Sequence, residues 1–287
     1  MLNNFNFKKS LGQNFINDEN IINKMVNSID IDKDTLVIEI GPGAGILSKS
    51  IIPKSKYSIL YEIDTRLEDI LDDTLKDYNN YKIIFNDFLK EEIKSEIVKY
   101  SYDKLYAVAN LPYYITTPII YKLTSEIEPD KILIMIQKEV ADRLCASVNG
   151  KDYGYITTYL NYFYNIKKVF DVSRNNFTPK PNVDSSVIIL SKRESNIKVK
   201  DVKYLDEFLK NCFKFKRKNL RNNLKGYDLN KINNILNKYG YDLSSRAENI
   251  SIDIFVEIVN VLLGWFFFLL WAHILKWVMI CLRLEIM

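Results

Sequence analysis

A chain of 287 residues that is 47% hydrophobic and 26% charged has the make-up of a folded globular protein, with room for one large domain or two ordinary ones, which excludes a disordered polypeptide. Its net charge of +4 is modest but unevenly spread: residues 192–226 hold twelve Lys/Arg against four Asp/Glu, a basic block that suits a polyanionic partner or a solvated helix surface. Three widely spaced cysteines (Cys145, Cys212, Cys281) and a single histidine (His273) exclude a disulfide framework, a zinc spacing and His-dependent catalysis, so no metal is expected. The N-terminus lacks the apolar core of a signal peptide, which makes the reducing cytoplasm the expected compartment.

Short apolar runs alternate with helical patterns through the first half. Strands are predicted at Thr35–Ile40, Tyr57–Tyr61, Lys82–Phe85, Leu105–Ala109 and Ile132–Ile136. Helices are predicted between them, near Ile46–Ile52, Arg66–Lys76, Glu91–Tyr100, Pro118–Glu126 and Lys138–Ser147. This alternation predicts an α/β fold with a parallel, doubly wound sheet, whose ligands sit at the carboxyl ends of the strands. Two further β-like segments, Lys167–Val172 and Ser185–Ser191, are expected to extend the sheet as a hairpin. Between them, Phe177-Thr178-Pro179-Lys180-Pro181 reads as a stiff extended loop. From about Asp201 the pattern is helical (Tyr204–Phe215, Arg217–Leu224, Leu229–Tyr239 and Ile252–Leu262), which predicts a small all-helical C-terminal domain. The expected boundaries are 1–195, 196–262 and 263–287.

The last segment differs from the rest. All three Trp and the only His lie beyond residue 264, Asn is absent after Asn260, and from Val261 to Leu282 only Lys276 is charged. It reads as a membrane anchor, a buried amphipathic helix or an appended sequence of separate origin, the abrupt change of composition favouring the last.

Three segments carry chemistry. Val37-Ile38-Glu39-Ile40-Gly41-Pro42-Gly43-Ala44-Gly45 is a strand entering a glycine-rich turn before a helix, where Gly41, Gly43 and Gly45 let the backbone approach a ligand. Glu62, at the end of the next strand, is placed to accept both hydroxyls of a ribose. This order binds adenosine-type cofactors and does not by itself separate a dinucleotide from S-adenosylmethionine. Asp87, after the third strand, either meets an adenine amine or caps a helix. Asn110-Leu111-Pro112-Tyr113, at the end of the fourth strand, suits the holding of a flipped-out base by its exocyclic amine. Asn supplies a side-chain carbonyl, Pro stiffens the turn so that the Leu111 carbonyl points into a pocket, and Tyr offers a flat face.

Taken in order, Lys9-Ser10-Leu11-Gly12-Gln13-Asn14-Phe15-Ile16, the Glu39–Gly45 loop, Glu62, Asp87, Asn110–Tyr113 continuing through Pro118, and Phe177–Pro181 continuing through Val187 resemble the KsgA/RsmA family of ribosomal RNA small-subunit adenine dimethyltransferases, over about residues 8–260. The resemblance implies a Rossmann-like class I methyltransferase domain, a helical rRNA-binding domain and S-adenosyl-L-methionine as methyl donor. It implies transfer of four methyls to two adjacent adenosines near the 3′ end of small-subunit rRNA, in an assembling ribosomal subunit. Carried over by position, Asn14, Ile16, Gly41, Glu62, Asp87 and Asn110 are expected to contact the cofactor. Asn110 and the Leu111 carbonyl are expected to meet the target amine, and Tyr113 and Phe177 to sandwich the base.

An adenine amine is a poor nucleophile because its lone pair is delocalised into the ring. Two carbonyl acceptors localise that lone pair for in-line attack on a sulfonium methyl, without histidine, metal or covalent intermediate. From charge alone, Lys214, Lys216, Arg217, Lys218, Arg221 and Lys225 are expected to contact phosphates. A monomer is expected, with membrane association only if the tail is an anchor. The alternatives are an Erm-type methyltransferase of large-subunit rRNA and a non-catalytic ribosome-assembly factor.

Overall fold

In a computed structural model of the chain, residues 7–8, 12–16, 18–194 and 197–264 are described. They divide into two units, one combining Met1–Cys145 with Phe163–Arg193 and the other combining Ala146–Tyr162 with Glu194–Met287. The sequence boundary near 195 therefore has a companion near 145: residues 146–162, read from sequence as part of the first domain, cluster with the helical unit.

The first unit is built on β1 (Phe15–Ile16), α1 (Glu19–Val26), β2 (Thr35–Ile40), α2 (Ile46–Ile51), β3 (Tyr57–Glu62), α3 (Glu68–Leu75), β4 (Tyr81–Phe85), α4 (Ile93–Ile97), β5 (Lys104–Asn110), α5 (Thr116–Lys122), β6 (Lys131–Gln137) and α6 (Lys138–Leu144). After α7 (Tyr155–Phe163) come β7 (Tyr164–Val172), β8 (Phe177–Thr178) and β9 (Ser185–Lys192). Seven strands make one sheet in the order β4-β3-β2-β5-β6-β9-β7. The first five run parallel and β9 is antiparallel to both neighbours. All six residues of β2 are buried, as are Ile132–Ile136 of β6, because helices cover both faces of a parallel sheet and its central strands become continuous apolar runs. One core cluster joins Val37, Val108, Leu133 and Val187 to Ile22 and Met25 of α1; another joins Leu60 to Leu67, just before α3, and to Leu71 and Leu75 of α3. The predicted hairpin extension is present, β7 and β9 completing the sheet edge.

Three elements were not read from the sequence. Helix α1 starts at an Asp18 cap, whose side chain accepts from the Asn20 N–H, and buries Ile22, Met25 and Val26. It is only eight residues long, too short for its period to stand out. Helix α7 is made largely of Tyr, Thr and Phe, residues of weak helix propensity that are held by burial of Thr157, Thr158, Tyr159 and Leu160. The loop at Phe177–Pro181 begins as the two-residue strand β8, paired antiparallel with β1 so that Ile16 faces Phe177.

The second unit carries α8 (Val202–Cys212), α9 (Leu220–Asn223) and α10 (Leu229–Lys238), and residues 252–264 are helical. Asp201, Asn219 and Asp228 cap the three numbered helices with their side chains. Phe208 meets Phe255 at 6.3 Å and Tyr227 at 5.1 Å, and Phe213 packs against Tyr153 and Phe255. The predicted helix Arg217–Leu224 shrinks to the four residues of α9, and the chain before it runs as an exposed turn.

Candidate active site

The carboxyl ends of β2, β3, β4 and β5 open onto one cleft enclosing about 1130 Å³, its mouth included. From Ile40 the chain turns through the glycines into α2. Gly43 has φ +60°, and a Cβ there would lie 2.7 Å from the ring of Phe15. Only glycine therefore lets the N-terminal segment lie against the turn. The Gly43 N–H donates to Glu62 Oε2 (3.0 Å), and the Asp64 N–H donates to Oε1 (2.9 Å). Burial pushes the Glu62 carboxyl above its ordinary pKa, and these backbone donors oppose the shift.

Gly45 does not line the cleft. It takes φ +81° at the start of α2, where a Cβ would press on Thr74 and Leu71 of α3 at 3.1–3.2 Å. Helix packing, not ligand approach, explains this glycine.

At the end of β3, Arg66 grips the Asp64 carboxylate and holds its pKa down to about 2, with Gln13 Nε2 donating to the same group at 2.7 Å. Gln13 Oε1 in turn accepts from the Lys8 N–H at 2.9 Å. These bonds tie the segment before β1 to the β3 end. Beyond β4, Asp87 Oδ1 accepts from the Leu89 N–H at 3.0 Å. This closes a turn rather than capping α4, whose cap position is Glu92. Asp87 lines the cleft beside Phe88, whose ring stands edge-on to Tyr61 at 5.4 Å. Lys122 Nζ holds the same turn from behind, donating to the carbonyls of Leu89 (3.0 Å) and Glu91 (2.5 Å).

Asn110 closes the wall. Its Nδ2 donates one N–H to the backbone carbonyl of Asn14 at 3.1 Å, which orients the side-chain amide and leaves Oδ1 as its acceptor. Leu111 is buried, its N–H bound to the Met135 carbonyl at 3.1 Å. Tyr113, half-buried in the turn before α5, shares a hydrogen bond of 2.9 Å with the buried Ser185 hydroxyl at the start of β9.

Of the residues expected at the site, Asn14, Ile16, Gly41, Gly43, Glu62, Asp87, Asn110, Leu111, Pro112 and Tyr113 line this one cleft. Phe177 does not: its pairing with Ile16 sends the ring into the cluster with Val172 and Val187, where it is 4% exposed and offers no free face. Lys214, Lys216, Arg217, Lys218, Arg221 and Lys225 lie in the helical unit, all exposed. Among the described residues none of these six forms an ion pair, whereas Lys82, Lys99, Lys104, Lys131, Lys138 and Lys168 each do. Arg221 feels the charge of Asp242. Ser185, Gln13, Asp64 and Lys122 were given no role from sequence. Ser185 lies inside the motif that continues from Phe177, which is the signal that was available.

Among the described residues no group of His, Cys, Asp and Glu could hold a metal ion, and no helix is long and apolar enough to cross a membrane. The readings of the tail fall on residues 265–287, outside the described residues.

A doubly wound sheet with an antiparallel strand inserted beside its last edge, and a glycine turn and strand-end carboxylate facing one cleft, define a Rossmann-like methyltransferase. The chain belongs to the ribosomal RNA adenine dimethylase family, whose model matches residues 4–263. It is 41% identical over 270 residues to the ribosomal RNA small subunit methyltransferase A of Bacillus mycoides (strain KBAB4), covering 90% of this chain and 92% of the relative. The structure is similar to that of a dimethyladenosine transferase from Plasmodium falciparum (TM-score 0.72, 25% identity, 85% of this chain and 95% of the other). It also resembles the 23S rRNA methyltransferase ErmE (TM-score 0.70, 23% identity, 87% and 99%), a likeness of fold alone.

Proposed function

We propose that this protein transfers methyl groups from S-adenosyl-L-methionine to the exocyclic amines of two adjacent adenosines near the 3′ end of small-subunit rRNA, giving dimethyladenosines in an assembling ribosomal subunit. The observation that carries the reading is the wiring of Asn110: the bond from Nδ2 to the Asn14 carbonyl orients the side-chain amide and leaves Oδ1 as an acceptor, as a target –NH₂ requires. The naming of relatives 41% identical supports the small-subunit substrate over the large-subunit one.

The cleft fits an adenosine-type cofactor. Gly41 has room for a close ligand, with nothing within 4 Å of a Cβ placed there, and the buried Glu62 carboxyl sits beside it to take ribose hydroxyls. Asp87 faces an adenine amine, and Phe88 and the half-exposed Ile63 supply apolar walls. When bound, S-adenosylmethionine supplies an electrophilic methyl on a sulfonium.

The protein's own part is positioning. Asn110 Oδ1 and the Leu111 carbonyl accept the two amine hydrogens, draw them out of the base plane and localise the nitrogen lone pair. Tyr113, fixed by Ser185, stacks on the extruded base and offsets about 1–3 kcal/mol of its unstacking. The unpaired cations of the helical unit hold rRNA phosphates.

The test is methyl transfer from labelled S-adenosylmethionine to small subunits from a strain lacking the modification, with nucleoside mass spectrometry. Dimethyladenosine in small-subunit RNA is expected. Dimethyladenosine in large-subunit RNA alone moves the activity to the Erm type, and RNA binding without product in either leaves an assembly factor.

A further inference from the structure

Phe213 and Phe215 stand two apart in a turn and do opposite things. Phe213 packs inward on Tyr153 (6.4 Å) and Phe255 (6.2 Å). Phe215 points out and is 55% exposed, in a run of five exposed residues whose other four, Lys214, Lys216, Arg217 and Lys218, are all cations. Lys214 Nζ lies over the Phe215 ring, 5.6 Å from its centroid. The turn is built to hold this ring out. The Phe215 carbonyl accepts from the Lys218 N–H (2.9 Å) and from Asn223 Nδ2 (3.4 Å), and Asn223 Nδ2 also donates to the Cys212 carbonyl (2.7 Å).

A single exposed apolar side chain needs no explanation by itself. An aromatic pinned among cations that form no ion pair within the described residues, Lys216 meeting only the Lys151 carbonyl (3.0 Å), is different. Its neighbours along the exposed run are all cations, not the apolar residues of a hydrophobic docking patch. A flat π face among phosphate-binding cations is what a stacking platform for a nucleobase requires. We infer that Phe215 stacks on an unpaired base of the RNA whose phosphates the surrounding cations hold, a second base-binding site separate from the cleft. The inference rests on the reading of this turn as rRNA-binding. It gives the turn a contact that is insensitive to salt, alongside cation contacts that are strongly sensitive to it.

The experiment measures binding of the full chain to an unmodified small-subunit rRNA transcript across a range of salt concentrations. Three variants are compared: Phe215→Leu, Phe215→Tyr and Lys216→Ala/Arg217→Ala/Lys218→Ala. Phe215→Leu keeps apolar bulk and removes the π face; it should weaken binding about fivefold or more at every salt concentration with the slope unchanged. Phe215→Tyr should bind within about twofold of the parent. Melting temperatures should move little, because the ring is more than half exposed. Phe215→Leu binding like the parent, or Leu and Tyr weakening binding equally, overturns the stack. If the triple variant still lowers the salt slope in that case, the rRNA-binding reading stands without it. If neither variant changes binding, the turn is not an RNA surface and both readings fall.

Discussion

The wall of the cleft and the basic turn of the helical unit use polar side chains in opposite ways. At the wall, polar side chains are committed: Asn110 to Asn14, Tyr113 to Ser185, Glu62 to two backbone donors, Asp64 to Gln13 and Arg66. In the helical unit, six basic side chains, four of them in the turn, are exposed without ion pairs among the described residues. Chemistry on a poor nucleophile needs orientation, which hydrogen bonds of fixed direction supply. Capture of a polyanion needs charge, which intramolecular pairing would neutralise.

The contrast breaks first at Asn110. Asn110→Ala should lower methyl transfer by at least about 10²–10³-fold while the melting temperature and RNA affinity hold, measured by product formation and calorimetry. Turnover near the parent's would show that the committed wall is not the catalytic element. Next, Lys216→Ala/Arg217→Ala/Lys218→Ala should reduce the slope of log affinity against log salt by about 2–3, leaving S-adenosylmethionine affinity unchanged in titration. A coupled loss of cofactor affinity would mean that the two regions are not independent. Ser185→Ala releases the Tyr113 hydroxyl and should lower kcat/KM several-fold, about 1 kcal/mol, with binding of S-adenosylmethionine intact in the same titration.

The smallest effect concerns stability. Glu39, fully buried on β2, is raised to about 8, chiefly by burial. The unfolded chain loses this proton near the ordinary glutamate value of 4.5 and the folded chain keeps it to about 8. The folded state therefore binds more protons in that window, and stability falls as pH rises through it. Glu39→Gln should blunt this decline, melting a few degrees above the parent at pH 8 and little differently at pH 5. Identical pH profiles for the two proteins would show that Glu39 does not titrate in this window.

Much of the sheet was legible because its central strands are buried on both faces and read as unbroken apolar runs, such as Leu105–Ala109 and Ile132–Ile136. The cleft residues were legible where their chemistry is tied to a strand end, as for Glu62, Asp87 and Asn110. Phe177 and Gly45 were not, because what fixes them is packing between segments remote in sequence: Phe177 against Ile16, and Gly45 against Thr74 and Leu71. Short α1 and the Tyr/Thr-rich α7 were missed for a related reason, since burial by distant partners overrides weak local signals.

The bond between Asn110 and Asn14 spans 96 residues, and that between Tyr113 and Ser185 spans 72. Strand β1 finds its partner only at residues 177–178. A pair of two-residue strands contributes few bonds against reopening. The β1–β8 pair can therefore open in native fluctuations while the sheet stays paired. Hydrogen exchange should find residues 12–16 exchanging ahead of β2 and β5, so that a ligand enters by local release of one thin strap with the sheet left undisturbed.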